Sequence, residues 1–315
     1  MNLPNVPVTD IKVHRKDLVV STQGRAFWIL DNISSLHQLT PQVTASDVHL
    51  FKPRDGYRTR VGSTILGPNI EYYLPSAPTG PVMIEILDAK GNLINSYNSD
   101  APAPAAGRGR GAGGGEAQQE DPDAPAGGRG RGAPPPRVTK AAGINRFVWD
   151  VRHQQGVTVP PGQYQARLKI EATTLTEPFN VLIDPRVAED GVTIADLQEQ
   201  FEHNLRMREL VNGVNQLATQ VRDAQAKLRS GPETNSDTAN RLNAIAEKLF
   251  TPPVRYSKPG LQAHITYLAG MTANVDQKIG RDAIDRYAVL KKEFDELRAG
   301  LDRVLPNDAT APRAP

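Results

Sequence analysis

In the first half of the chain apolar side chains recur at every second residue; from residue 193 they recur at alternating steps of three and four. The first pattern belongs to half-buried strands, the second to helices that bury a narrow stripe. Residues 8–31 carry three short strand candidates. Val8–Val13 and Asp17–Ser21 are divided by polar residues, and Gln23-Gly24 divides LVVST from AFWIL. An X-Gly pair between two apolar runs predicts a hairpin, because glycine accepts positive φ. Three strands alone are marginal in water, so this segment needs neighbours.

Residues 47–100 and 138–185 predict one antiparallel sandwich. Its strands are Val48–Lys52, Ile70–Leu74, Val82–Asp88, Leu93–Asn98, Asn145–Arg152, Gln163–Glu171 and Pro178–Ile183. Alternation is clear in Val82, Ile84 and Ile86, and again in Tyr164, Ala166, Leu168 and Ile170. Asp88-Ala89-Lys90-Gly91-Asn92 and Pro160-Pro161-Gly162 supply turn chemistry. Seven short strands at this spacing suit an Ig-like β-sandwich. Residues 101–137 interrupt it with Gly, Pro, Ala and Arg and no aromatic side chain. Such a segment cannot bury enough surface to offset the entropy of ordering, so a disordered insert is expected.

The helical stripes follow. Leu210, Val214, Leu217, Val221, Ala224 and Leu228 form one; Leu261, Ile265, Leu268, Thr272, Val275 and Ile279 a second; Tyr287, Leu290, Phe294, Leu297, Leu301 and Val304 a third. Thr193 with Asp196 resembles a capping box at the start of the first helix, Ile194 to Arg229. Ser230-Gly231-Pro232 predicts its end, Gly280 the end of the third, and a shorter helix fits at Ala239–Leu249. Three long helices and one short one pack most simply as an antiparallel bundle. Asn307–Pro315 reads as a frayed tail.

Composition narrows the chemistry. The 315 residues carry 37 basic and 35 acidic side chains, a net charge of +2, which gives no global field for nucleic acid or an anionic membrane. There is no cysteine, so disulfides, thiolate nucleophiles and Cys-based zinc sites are excluded. No apolar run is long enough to span a bilayer. The start, MNLPNVPVTD, carries no export-signal pattern.

The segment DLVVSTQGRAFWILDNISSLHQL resembles the closing blade of large bacterial BNR-repeat or sortilin-like β-propeller proteins, which are often labelled glycosyl hydrolases. LFKPRDGYRTR, AAGINRFVWDVR, VPPGQYQARLKI and IDPRV occur in the same order as in their C-terminal region. The pattern G-x-N-R-F-V-W-D followed by P-P-G-x-Y is similar to the Ig-like domain of flagellar hook-capping proteins. A helical hairpin region follows in the family, as the stripes predict here. The resemblance covers nearly all of the chain outside the insert. It implies full propellers and an export signal upstream, so the chain is expected to be a fragment, or the product of a gene split from its propeller. The hydrolase label rests on fold-level analogy to sialidases.

Candidate chemistry is sparse. A glycosidase usually needs two facing carboxylates, and a sialidase-type site adds a tyrosine and arginines. Asp10, His14, Arg25 and Asp31 lie in the blade remnant and read as turn or solvent residues; one blade cannot converge residues on a channel built by all blades. Trp149, Asp150 and Arg152 could form a sugar platform. Alternation instead points Phe147 and Trp149 to one face as core anchors, with Val148 opposite, Asp150 at a turn or edge and Tyr164 facing the core. The six histidines, His14, His37, His49, His153, His203 and His264, show no metal-binding spacing. Arg108, Arg110, Arg129 and Arg131 sit in two G-R-G-R-G repeats of a kind that can bind RNA. No aromatic is interleaved, and Glu116, Glu120, Asp121 and Asp123 lie between them. The charges around Lys291–Arg298 read as a solvated helix face.

The expectation is therefore an α+β multidomain chain: a partial β-propeller blade at 1–45, an Ig-like antiparallel β-sandwich at 46–187 with its Gly/Pro/Arg insert at 101–137, an antiparallel helical bundle at 190–305 and a disordered tail at 306–315. No catalytic, cofactor-binding or metal residue is assigned, and no cofactor. The expected role is a non-catalytic accessory or interaction module of a secreted or envelope β-propeller protein, placing the parent in the periplasm or outside the cell. Its expected partner is the upstream propeller, in the same or a neighbouring chain, or an envelope protein, with a glycan as a further option. The alternatives are a piece of a glycoside hydrolase whose active site lies upstream, and RNA binding through the insert, which the acidic residues disfavour.

Overall fold

The computed structural model describes residues 5–61, 64–101, 137–230 and 236–305. It is a mixed α+β protein with several sheets and a C-terminal helical region. The chain divides into two compact units, Met1–Gln154 with Pro161–Pro185, and Gln155–Pro160 with Arg186–Pro315. The insert expected at 101–137 lies outside the described residues except for Ala101 and Arg137, as does the tail at 306–315.

Strands β1 (Val8–His14), β2 (Asp17–Thr22) and β3 (Phe27–Leu30) form an antiparallel sheet in that order. Arg15 and Lys16, with φ of 47° and 66°, make a two-residue turn whose twist matches its strands. The sequence there, His14-Arg15-Lys16-Asp17, is polar but carries no glycine or asparagine to mark such a turn. Gly24, at φ 77°, sits in the expected second turn. Two helices too short for any periodic signal follow, α1 (Ser34–Gln38) and α2 (Pro41–Thr44). The Thr40 side chain caps α2, accepting from the Val43 N–H at 3.4 Å.

Next come β4 (His49–Leu50), β5 (Gly56–Val61), β6 (Thr64–Leu66), β7 (Asn69–Leu74), β8 (Val82–Asp88), β9 (Leu93–Asn98), β10 (Gly143–Val148), β11 (Gly162–Ile170) and β12 (Thr173–Ile183). One sheet runs β10-β7-β4 and the other β6-β5-β12-β11-β8-β9. Ring contacts join them: Trp149, just past β10, lies 5.3 Å from Tyr164 on β11 and 6.0 Å from Phe179 on β12, and Phe147 lies 4.7 Å from Tyr97 on β9. Gly91 takes φ 86° in the turn where a glycine was expected, and the Asp88 carboxylate there accepts from the Lys90 and Asn92 N–H groups.

Three sequence expectations need correction in this region. Strands β5 and β6 were not foreseen, because GYRTRV mixes charges into the pattern and its Arg58 is nonetheless buried. Strand β5 pairs with β12 in parallel, so the arrangement is not wholly antiparallel. Strand β10 stops at Val148 instead of running to Arg152: the Trp149 N–H turns away to donate to Pro68 O at 3.1 Å, and Val151 takes φ 57°.

The helical region holds α3 (Pro185–Glu189), α4 (Ile194–Ser230), α5 (Ser236–Leu249), α6 (Leu261–Ala273) and α7 (Arg281–Val304). Thr193 Oγ1 accepts from the Asp196 N–H at 3.1 Å and Asp196 accepts from the Thr193 N–H at 2.9 Å, the reciprocal pair read from the sequence. Helices α4 to α7 share one apolar core that takes in Leu210, Val214, Leu217, Val221, Leu242, Ile265, Leu290 and Phe294. The second predicted stripe overran its helix. Helix α6 ends at Ala273, leaving Val275 exposed, and is therefore short. Side chains of α4 take carbonyls in its last turn and just beyond it: Gln200 donates to Thr272 O at 2.8 Å and Val275 O at 2.6 Å, and Asn204 to Thr272 O at 3.1 Å. Gly280 does not end this helix; it starts α7 as its N-cap.

Candidate interaction surface

The residues singled out in sequence are spread over both units. Trp149 and Phe147 are fully buried and Val148 is exposed, as strand alternation requires. Tyr164 is buried against Trp149. No indole face is open for a sugar to stack on at this position. Around the buried rings runs a polar chain. The Tyr97 hydroxyl donates to Asp150 Oδ1 at 3.0 Å and accepts from Asn95 Nδ2 at 2.9 Å; the same amide donates to Arg152 O at 3.0 Å. Burial first, and then the Asp150 charge, hold the Tyr97 phenol above the ordinary tyrosine range. A phenol kept neutral beside a carboxylate it donates to is a positioned strut. It fastens the segment after β10 to β9.

In the N-terminal sheet Asp10 accepts from its neighbour's N–H, Ile11, at 2.9 Å. His14 is exposed at the end of β1. The Arg25 carbonyl accepts from Trp28 Nε1 at 3.0 Å, and the Asp31 carbonyl from Arg146 Nη2 at 2.9 Å. These four do not converge. The histidines are scattered as well: His49 packs edge-on to Phe51 at 4.9 Å, and His203 packs on Tyr287 at 5.8 Å. Among the described residues no three His, Asp or Glu side chains are placed to hold a metal ion. The arginines of the insert lie outside the described residues.

No sequence motif marks the residues that fasten the N-terminal sheet to the rest of its unit. Arg146, on β10, reaches Glu71 Oε1 on β7 at 2.7 Å and the Asp31 and Asn32 carbonyls at 2.9 and 3.1 Å. Glu71 is buried, and this guanidinium is the cation paired with it. Asp17 Oδ1 accepts from Arg54 Nη1 at 3.0 Å and from the Asn32 N–H at 2.9 Å. Arg54 also edges an open recess of 560 Å³ with Lys16, Ser34, His37, Lys52 and Asp55. Arg146 is a long polar side chain inside strand-like text and Arg54 lies in the loop before β5, and sequence alone cannot distinguish either from a solvent-facing residue.

Apolar surface is the other outstanding feature. Cross-strand register puts Ile11, Val20 and Trp28 on one face of the N-terminal sheet, and Val19, Ile29 and Phe27 on the other. Only Val20 is buried. Ile11 is 60 % exposed on the first face, and Ile29 and Phe27 are 59 % and 75 % exposed on the second. Every residue of β1 is exposed.

No family model and no curated protein matches the chain. Two solved structures show weak likeness. One is PorZ, a bacterial surface component of the type-IX secretion system of Porphyromonas gingivalis, at 15 % identity and TM-score 0.22 over 56 % of this chain and 23 % of that one. The other is a chimeric titin Z1Z2 tandem, at 11 % identity and TM-score 0.21 over 53 % of this chain and 63 % of that one. The chain thus spans under a quarter of the first and under two thirds of the second, and likeness at this level carries no argument for function. Among the described residues no helix is long and apolar enough to cross a membrane.

Proposed function

We propose that this chain is a non-catalytic accessory or interaction module of a secreted or envelope β-propeller protein. One observation supports the reading most: an antiparallel sheet of three strands with large apolar side chains open on both faces. Sheets in a propeller stack face to face, so such a sheet is what one blade would present to its neighbours. In this reading residues 1–45 are a blade remnant, 46–187 an Ig-like domain and 190–305 a helical bundle. The partner is the propeller itself, in the same or a neighbouring chain, and the place of action is the cell envelope or beyond.

The test uses the full chain and a purified propeller encoded beside it. The two should co-elute, and Phe27→Asp with Ile29→Asp should abolish the complex while leaving the helical melt unchanged. Failure to associate at high micromolar concentration would overturn the reading, and so would cleavage of an aryl glycoside by the purified chain alone.

A further inference from the structure

The free edge of β1 is self-complementary. The turn at Arg15 and Lys16 fixes which backbone groups face outward. In a two-residue hairpin the flanking pair, here His14 and Asp17, exchanges hydrogen bonds across the strands. Alternate residues then do the same, so His14, Lys12 and Asp10 bond inward to β2, and Val13 and Ile11 point their N–H and C=O groups off the sheet. Two contacts agree: the Asp10 carbonyl accepts from Ser21 Oγ on β2 at 3.5 Å, and the Ile11 N–H is taken by the Asp10 carboxylate. No strand covers this edge among the described residues.

A second β1 laid antiparallel about a two-fold axis at Ile11 satisfies every condition at once. Ile11 meets Ile11 of the other copy with both outward N–H groups facing carbonyls. Asp10 lies opposite Lys12, and Lys12 opposite Asp10, in the closer, non-hydrogen-bonded pairs where side chains interact most. Both side chains are exposed, and neither has an ion-pair partner among the described residues. The exchange balances: the Ile11 N–H passes from the Asp10 carboxylate to a carbonyl, and the carboxylate passes to an ammonium. The irregularity between Val8 and Asp10 ends the pairing after a few residues. An isologous contact of this kind closes at two copies and does not propagate.

We infer that this chain forms a weak two-fold dimer through β1, paired about Ile11. The contact uses the strand edge and leaves both sheet faces for the docking proposed above, so either idea can fail without the other. The test is sedimentation equilibrium of the full chain up to about 500 μM, a range set by so small an interface. Wild type should show reversible dimers. Asp10→Lys and Lys12→Asp each place like charges opposite one another and should each weaken association by about tenfold or more. An equimolar mixture of the two variants should recover association, because every Lys then faces an Asp; recovery also shows that both variants are folded. A wild-type monomer throughout, a dimer indifferent to either reversal, or a mixture that stays monomeric would each overturn the inference.

Discussion

Strands β8 and β1 carry the same alternating text and meet opposite fates. In β8, Val82, Ile84 and Ile86 are fully buried, because β9 and β11 flank the strand and side chains of the β10-β7-β4 sheet reach over to the six-stranded one. In β1 the equivalent row, Ile11 and Val13, stays open. Alternation therefore reports which side chains share a face. It does not report whether anything lies over that face.

The largest effect should come from the covered side. Trp149→Ala removes the ring that touches both Tyr164 and Phe179 and should cost about 3–5 kcal/mol in urea unfolding followed by circular dichroism. A cost below about 1 kcal/mol would mean that the aromatic cluster is not a packed core. Next is the link between the two regions. Arg146→Ala strands the buried Glu71 carboxylate and should cost about 3 kcal/mol, and Glu71→Gln in the same chain should restore much of it.

A smaller, pH-dependent effect belongs to the helical region. His203 is 1 % exposed, and burial, with the Arg206 charge second, holds its imidazole below the ordinary range. The unfolded chain therefore binds the proton first. Stability should be level above about pH 6.5 and fall as the pH drops below it, towards the depressed value of the folded state. Melting of α4 followed from pH 8 to pH 5 should show this slope, and His203→Phe should flatten it. The smallest effect should be at the open sheet. Phe27→Ser should change stability by no more than about 0.5 kcal/mol. A loss above about 2 kcal/mol would show that this face is covered, and the contrast with β8 would collapse.

Much of the fold was legible where periodicity is strong. The spans of β8 and β9 are as expected, and the stripe through Tyr287, Leu290, Phe294, Leu297, Leu301 and Val304 lies in or against the helical core. Short elements were illegible for lack of length: α1 and α2 never complete a period. Strand β5 was hidden by Arg58 and Arg60, side chains that read as solvent-facing. The fastening residues Arg54 and Arg146 were missed because their partners, Asp17 and Glu71, are 37 and 75 positions away in sequence.

By itself the sequence determined the local periods, the glycine of the Asp88 turn and the Thr193 cap, since each depends on a few neighbouring residues. Only the tertiary structure decided that β5 lies parallel to β12, that α6 stops at Ala273, and that Glu71 is buried while Ile11 is not. Those outcomes turn on which distant surface arrives to cover a group. Burial is a property of a pair of surfaces, and a linear pattern specifies one member of the pair at a time.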